Sequence, residues 1–265
     1  MSDPPVSDLG VSDEGVDDPP RTIAFEAVFN FRDLGGYPAR RGQRVRWRRL
    51  FRADGLNRVR THEADVVRRL GIRTVVDLRT NDEVRTHGRF PDEVAEVNYC
   101  HLPVFDVQPD WAGFDEPDAP GFLADRYVEM LESGRPSVAA ALKLLADPGA
   151  YPLVFHCAAG KDRTGILASV VLALLGVPDD VIVEDYALSH QATERMFAWV
   201  AARGRDLDSG YQTPPPSVLA AHPDTMVRFL EHLDATHGGA SGLVQDLGVG
   251  TDTIDRIREN LLEPA

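Results

Sequence analysis

Short apolar runs alternate with longer amphipathic stretches along most of the chain. Residues 72–78 form an apolar, β-branched run typical of a parallel strand, and residues 153–155 and 94–102 form two more strand-like runs. Residues 22–29 alternate between apolar and polar positions, which predicts a strand that begins the fold. Because helical stretches separate these runs, the pattern predicts an α/β protein with a mostly parallel central sheet flanked by helices.

The predicted helices differ in how much of their surface is apolar. Residues 166–177 are apolar on nearly all sides, so this helix is expected at the buried centre of the fold. Gly176 should end it, and Pro178 should begin the next helix. Further helices are predicted at 61–71 (with Thr61 as N-cap and Gly71 at its end), 122–146 (as one or two helices), 190–202, 222–233 and 251–262.

Residues 1–20 differ in composition from the rest of the chain. They carry six acidic residues, four prolines and no basic residue, so they cannot bury a core and should form a disordered acidic tail. Residues 21–265 are long enough for one sizeable α/β domain.

Composition limits the classes of partner and location. The net charge of −14 argues against nucleic-acid binding. The longest apolar run is too short to cross a bilayer, so no stable membrane insertion is expected. Two cysteines and the absence of a signal-like N-terminus favour a reducing compartment, with the cytoplasm as the default. Nothing in the pattern indicates the oligomeric state.

Basic residues concentrate in one segment. Residues 40–60 hold nine arginines, which fits either a β-hairpin whose exposed positions are arginine or a basic face for acidic lipid or phosphoprotein. In the preceding loop, Arg32 and Asp33 are predicted to form an internal ion pair.

The chemistry concentrates in the decapeptide His-Cys-Ala-Ala-Gly-Lys-Asp-Arg-Thr-Gly at residues 156–165. A cysteine ends the strand at 153–155, and an arginine closes the loop after five intervening residues. Such a loop can turn its N–H groups into one bowl at a helix N-terminus, which binds a tetrahedral dianion and stabilises a thiolate. This predicts Cys157 as nucleophile and a phosphate site formed by Ala158, Ala159, Gly160, Lys161, Asp162 and Arg163.

The side chains around this loop suit that chemistry. The planar guanidinium of Arg163 can grip two oxygens of a phosphoryl group, and Gly160 permits a positive φ. Thr164 can donate its hydroxyl to the sulfur, and His156 can fix the cysteine backbone through a ring hydrogen bond. Asp162 is a candidate proton donor to the leaving oxygen.

The run at 72–78 delivers Asp77 and Arg79 to the carboxyl end of its strand, where α/β sheets place their ligand sites. The two residues fit a structural ion pair, a substrate-side contact or an auxiliary acid.

The pattern HCxxGKDRTG resembles the phosphate loop of cysteine-dependent protein tyrosine phosphatases. In particular, it is similar to that of the atypical bacterial group typified by mycobacterial protein tyrosine phosphatase B. Residues 30–36, 50–54 and 76–79 resemble three further family motifs, and the chain from 222 through the region of 248 resembles the family's C-terminal helices. The resemblance covers about residues 22–262.

The resemblance implies a helical lid over the active site at about 189–236, although an ordinary packed pair of helices fits the same amphipathic pattern. Many tyrosine phosphatases carry their general acid on a loop like the one that holds Asp106, so Asp106 is the alternative to Asp162. No metal or other cofactor is expected, because the N–H bowl and Arg163 stabilise the charge. Some relatives act outside the cell without a cleaved signal.

The expected reaction is hydrolysis of phosphotyrosine in proteins through a cysteinyl-phosphate. Lys161 in the loop is also found in phosphoinositide phosphatases, so phosphoinositides are a second predicted substrate. A phosphate-binding module without turnover and a rhodanese-like sulfur transferase are the alternatives from other classes.

Overall fold

The computed structural model describes residues 18–105, 117–202 and 215–265. Its strands form a five-stranded sheet of order β1-β4-β7-β5-β6 and a small antiparallel sheet of order β2-β3-β8. They are β1 (Arg32–Asp33), β2 (Pro38–Ala39), β3 (Gln43–Val45), β4 (Leu50–Ala53), β5 (Thr74–Asp77), β6 (Asn98–His101), β7 (Leu153–His156) and β8 (Leu262–Pro264). In the larger sheet β4, β7, β5 and β6 are parallel and only β1 pairs antiparallel, so the predicted fold class is confirmed.

Helices pack on the sheet, and the chain after β7 is mainly helical. They are α1 (Ala64–Leu70), α2 (Asn81–His87), α3 (Ala119–Ser133), α4 (Arg135–Leu145), α5 (Asp162–Leu175), α6 (Asp179–Ala187), α7 (Ser189–Ala201), α8 (Pro216–Leu219), α9 (Pro223–His237), α10 (Ala240–Asp246) and α11 (Thr251–Leu261). Short 3₁₀ turns lie at Leu56–Arg58, Thr61–Glu63 and Pro148–Ala150.

Successive side chains of a strand point to opposite faces of the sheet, and those of β4, β5 and β7 are buried on both faces. In β7, Leu153 and Phe155 join the larger apolar core around α5, whereas Val154 joins the core formed with α1 and the N-terminal segment. Helix α5 is buried along nearly its whole length, as its uniform apolarity predicts.

The register of the sheet brings three strand ends to one level. His156 at the end of β7 lies between Ala53 at the end of β4 and Asp77 at the end of β5. The residues that follow these strands therefore meet at the carboxyl edge of the sheet, where α/β proteins bind ligands.

Two local predictions need correction. No strand forms over 22–29, where the backbone N–H groups of Glu26 and Phe29 are satisfied by the side chains of Glu63 and Asp54 instead of a neighbouring strand. Thr61 is not an N-cap but the first residue of a 3₁₀ turn that precedes α1.

The arginine-rich segment forms the β2–β3 hairpin and strand β4, and several of its arginines bind within the molecule. Arg44 pairs with Glu263 on β8, and Nε of Arg46 donates to the carbonyl of Leu262 at 2.6 Å. Arg49 stacks on the ring of Tyr151. These contacts agree with the hairpin interpretation of the segment.

The structure describes only the last three residues of the predicted tail, 18–20. Residues 1–17 lie outside the described part of the chain, whereas Asp18 accepts a hydrogen bond from the indole of Trp47 at 3.1 Å. Among the described ranges, no helix has the length and apolar character needed to cross a membrane.

Candidate active site

The loop at residues 157–163 is held from outside through its carbonyl oxygens. Three donors from separate parts of the fold and one from the first turn of α5 point at four successive carbonyls. In a trans peptide the N–H group points away from the carbonyl of the same unit, so these contacts turn the following N–H groups toward the inside of the loop. The donors are Gly55 N to Ala158 (3.1 Å), Asn30 Nδ2 to Ala159 (3.0 Å), Arg52 Nη2 to Gly160 (2.8 Å) and Gly165 N to Lys161 (2.8 Å).

Gly160 lies where this loop approaches the end of β4. Its φ is +69°, and a Cβ at this position would lie 2.6 Å from the carbonyl oxygen of Ala53 and 2.8 Å from the amide nitrogen of Asp54. Only glycine fits both the backbone conformation and the space.

Cys157 follows β7 and is only 1% exposed. Its Sγ accepts a hydrogen bond from the backbone N–H of Gly160 at 3.3 Å. The sulfur thus already contacts one of the N–H groups of the loop before α5.

Arg163 is buried in the first turn of α5 and is paired with Glu83. Its Nη1 and Nη2 donate to the two carboxylate oxygens of Glu83 at 2.6 and 2.9 Å. This bidentate geometry fixes the plane of the guanidinium.

Glu83 was not among the residues that sequence reasoning selected. It is the third residue of α2, and together with Thr80 it forms a capping box: Thr80 Oγ1 accepts from the N–H of Glu83, and Glu83 accepts from that of Thr80. Burial alone would raise the pKa of Glu83, but the hydrogen bonds and charge of Arg163 lower it to about 2. The Thr-x-x-Glu spacing of the capping box was the available signal.

The ammonium group of Lys161 is directed toward α8. Its Nζ donates to the carbonyl of Val218 at 2.5 Å and lies 3.2 Å from Oδ1 of Asp162. The side chain is almost fully buried by these contacts.

Asp162, the first residue of α5, is 25% exposed. Its Oδ1 accepts a hydrogen bond from the Tyr127 hydroxyl at 2.6 Å, and the Tyr186 hydroxyl lies 2.7 Å beyond. Tyr127 comes from α3 and Tyr186 from α6, the helix after α5, and neither was predicted to take part in the site.

Asp77 and Arg79 form a buried ion pair at the carboxyl edge of the sheet, next to His156. Nε and Nη2 of Arg79 donate to the carboxylate at 2.9 and 2.6 Å, and the Tyr99 hydroxyl donates to it at 2.8 Å. Although burial opposes it, the hydrogen bonds and charge of Arg79 hold the pKa of Asp77 well below its usual range. This geometry agrees with the structural interpretation of the pair.

His156 is completely buried beneath the loop. Its Nδ1 lies 3.2 Å from the carbonyl oxygen of Cys157, and its Nε2 lies 3.5 Å from Asp77. Burial lowers the pKa of His156 despite the nearby carboxylate, so the ring is neutral at pH 7 and can donate from Nδ1.

Arg32 pairs with Asp185 of α6, not with Asp33 as predicted from adjacency. Asp185 also accepts from Nη1 of Arg52 at 2.6 Å and from the Tyr37 hydroxyl at 2.8 Å. Asp33 instead accepts from the backbone N–H groups of Gly35 and Arg48. Because Arg52 also holds the Gly160 carbonyl, this buried cluster supports the 157–163 loop from below.

Two predicted participants are not joined to the site. The hydroxyl of Thr164 is buried and makes no hydrogen bond within the described residues, so the expected donation to sulfur is not formed here. Asp106 lies outside the described residues.

The segment predicted as a lid contacts the site and its surroundings from several of its described helices. From α8, Val218 accepts from Lys161. From α7, Trp199 packs edge-on against Phe29, with ring centroids 5.9 Å apart. Residues 203–214 between these helices lie outside the described part of the chain.

These features define a class of protein: an α/β enzyme in which a cysteine and an arginine, separated by five residues, lie at the two ends of a loop at the carboxyl edge of a parallel sheet. Among the described residues, no cluster of histidine, cysteine and carboxylate side chains is placed to hold a metal ion.

The chain belongs to the tyrosine phosphatase family, whose sequence profile matches residues 23–263. Triple specificity protein phosphatase PtpB of Mycobacterium tuberculosis is 30% identical over an alignment of 274 positions, which covers 89% of this chain and 97% of that protein. A tyrosine-protein phosphatase of Nostoc commune is 27% identical over 245 residues, covering 84% and 78%. The resemblance found in the sequence motifs is thereby confirmed.

Proposed function

We propose that this protein hydrolyses phosphotyrosine in proteins through a cysteinyl-phosphate intermediate. The observation that carries the proposal is the 157–163 loop, whose carbonyls are anchored outward while Cys157 and Arg163 stand at its two ends. The family assignment and the named activity of the relatives support the same reaction.

In the first step the thiolate of Cys157 attacks phosphorus, and the bond from phosphorus to the tyrosine oxygen breaks. The inward N–H groups and Arg163 hold the three non-bridging oxygens as their charge grows. Asp162 gives a proton to the leaving phenolate oxygen and becomes a carboxylate.

In the second step a water molecule attacks the cysteinyl-phosphate, and Asp162 takes the proton that this water loses. The sulfur leaves as a thiolate, which the N–H of Gly160 stabilises through the contact already present at 3.3 Å. We assign the hydroxyl of Thr164 to the same sulfur, because a buried hydroxyl without a partner among the described residues is available as a donor.

The reaction requires a reduced thiol. Both cysteines, Cys100 and Cys157, are free, and a reducing compartment such as the cytoplasm keeps them so. We therefore place the activity there.

The direct test is phosphate release from a phosphotyrosine peptide without added metal, comparing the native protein with Cys157→Ser. We expect turnover by the native protein and none by the variant. Full activity in the variant would overturn the mechanism, and phosphate binding without turnover by the native protein would favour a binding module.

A second candidate activity, on phosphoinositides, depends on Lys161. Its ammonium group is the additional cation of the loop, and it is held by one carbonyl and one carboxylate that a second phosphate group could replace. In Lys161→Ala we expect lipid phosphatase activity to fall while phosphotyrosine activity remains. Equal loss of both activities would count against a role of Lys161 in lipid recognition.

A further inference from the structure

A chain of two buried hydroxyl groups ends at the acid of the proposed reaction. Tyr127, in the middle of α3, is completely buried, and its hydroxyl lies 2.6 Å from Oδ1 of Asp162. Asp162 itself is partly exposed at the start of α5. These two hydrogen-bonded hydroxyl groups therefore join the interior of the helical layer to the 157–163 loop.

The direction of these hydrogen bonds is fixed by chemistry. Tyr127 has one hydroxyl proton, and it is given to Asp162, so Tyr186 must be the donor in the 2.7 Å contact between the two tyrosines. Burial, together with the charge of Asp162, raises the pKa of both hydroxyls well above their ordinary value, so both remain donors at any physiological pH.

Packing holds the Tyr127 ring in place. It makes edge-to-face contacts with Tyr186 of α6 and Phe229 of α9, each with ring centroids 6.1 Å apart. The hydroxyl therefore has little freedom to follow Asp162 if that side chain rotates, and it acts as a fixed point for the carboxyl group.

Both neighbouring donors reach the same oxygen. Nζ of Lys161 lies 3.2 Å from Oδ1 of Asp162, the atom that also accepts from Tyr127. Because Oδ1 accepts from Tyr127 and faces the ammonium group of Lys161, the proton of the neutral acid is carried by Oδ2.

We propose that Tyr127 is a positioning residue for the phosphatase reaction, holding Oδ1 of Asp162 so that Oδ2 presents the proton to the leaving phenolate. The inference rests on the role assigned to Asp162 in the proposed function. When the phosphorus–oxygen bond breaks, the proton moves from Oδ2 to the phenolate oxygen. Tyr127 continues to donate to the carboxylate that remains.

The test uses aryl phosphates with different leaving groups. Phenyl phosphate releases a basic phenolate that needs a proton, whereas p-nitrophenyl phosphate releases a phenolate that needs it far less. The quantity measured is kcat/KM, which covers all steps through cleavage of the phosphorus–oxygen bond. In Tyr127→Phe, which keeps the ring but removes the hydroxyl, we expect a roughly 10-fold loss on phenyl phosphate and about 2-fold or less on p-nitrophenyl phosphate.

A double-variant comparison separates positioning from general damage. Asp162→Asn should show the same leaving-group dependence more strongly, and adding Tyr127→Phe to it should cause no further loss. Tyr151→Phe is the matched control, because Tyr151 is also buried and loses one hydroxyl bond, to the carbonyl of Leu145, at a distance from the loop in the fold. It should leave the ratio of the two substrates unchanged. If Tyr127→Phe proves too unstable to assay, Tyr186→Phe removes the next hydroxyl of the chain, and a smaller loss with the same dependence is expected.

An equal loss of kcat/KM on both substrates, or additive losses in the double variant, would overturn the role of Tyr127. If Asp162→Asn shows no leaving-group dependence, the assignments of Asp162 and Tyr127 both fail. An inactive Cys157→Ser would still uphold the cysteinyl-phosphate mechanism in that case.

Discussion

Both carboxylate oxygens of Glu83 accept hydrogen bonds from the terminal nitrogens of Arg163, at 2.6 and 2.9 Å. Glu83 is itself fixed by the capping box at the start of α2. The carboxylate that orients the arginine is therefore held in place by a helix end. A planar donor fork that is aligned in advance can bind two phosphoryl oxygens without first ordering its own side chain.

Replacing Glu83 by glutamine should lower kcat/KM for a phosphotyrosine peptide by roughly 10- to 100-fold, because a misoriented guanidinium no longer matches the transition state. Steady-state kinetics measure this. The control is Asp82→Asn, since Asp82 is on the same helix turn but its pair with Arg85 is exposed, and no change is expected. Native kcat/KM in Glu83→Gln would show that Arg163 needs no such support.

The same pair should make stability depend on pH. The pKa of Glu83 is lowered in the folded state from its ordinary 4.5 to about 2, so its contribution is complete above about pH 5 and is lost as the pH falls toward 2. That contribution is at most about 3 kcal/mol. Urea unfolding of the native protein and of Glu83→Gln should therefore show a difference in the free energy of unfolding that is constant from pH 7 to 5 and shrinks at pH 3.5. A difference that does not change with pH would contradict the shift.

Gly160→Ala tests whether the loop tolerates a side chain beside β4. The new methyl group would lie 2.6 Å from the Ala53 carbonyl oxygen, so the loop must move, and we expect roughly a 100-fold loss of kcat/KM. Gly42→Ala is the control, because Gly42 has a similar φ of +66° with no atom within 4 Å of the added Cβ. It should lose about 1 kcal/mol of stability from backbone strain and keep its activity. Equal activity of the two variants would mean that the close approach has no role.

Asp185→Asn should destabilise the fold by about 3 kcal/mol or more, because Arg32 and Arg52 would remain buried without their shared counter-charge. The free energy of unfolding in urea measures this. Glu184→Gln, the exposed neighbour on α6, should stay within about 0.5 kcal/mol of the native protein. If the two variants are equally stable, Asp185 does not hold the cluster together.

The parts of the structure that follow from local pattern were predictable. The β-branched run at 72–78 became β5, the uniformly apolar helix became α5, and the cysteine and arginine of the 157–163 loop stood out by their spacing. Each of these signals lies within a short window, where hydrophobic period and turn chemistry decide the conformation.

The support of the loop was not predictable in this way. Asn30, Arg52 and Tyr127 act on residues more than thirty positions away, and their side-chain types alone do not reveal which distant group each one meets. The pairing of Arg32 with Asp185, instead of with the adjacent Asp33, has the same cause. Adjacent side chains in a strand point to opposite faces, so the neighbour in sequence is not the neighbour in space.

The outward anchoring of the 157–163 loop has a consequence for folding. Its donors Asn30 and Arg52 precede their acceptors by 129 and 108 residues, and Glu83 precedes Arg163 by 80. Contacts of such high contact order form only after the loop-closure entropy of the intervening chain has been overcome. A peptide spanning only β7 and α5 would therefore lack the anion-binding geometry. The return of catalysis during refolding reports completion of the tertiary structure, not formation of the local strand–loop–helix unit.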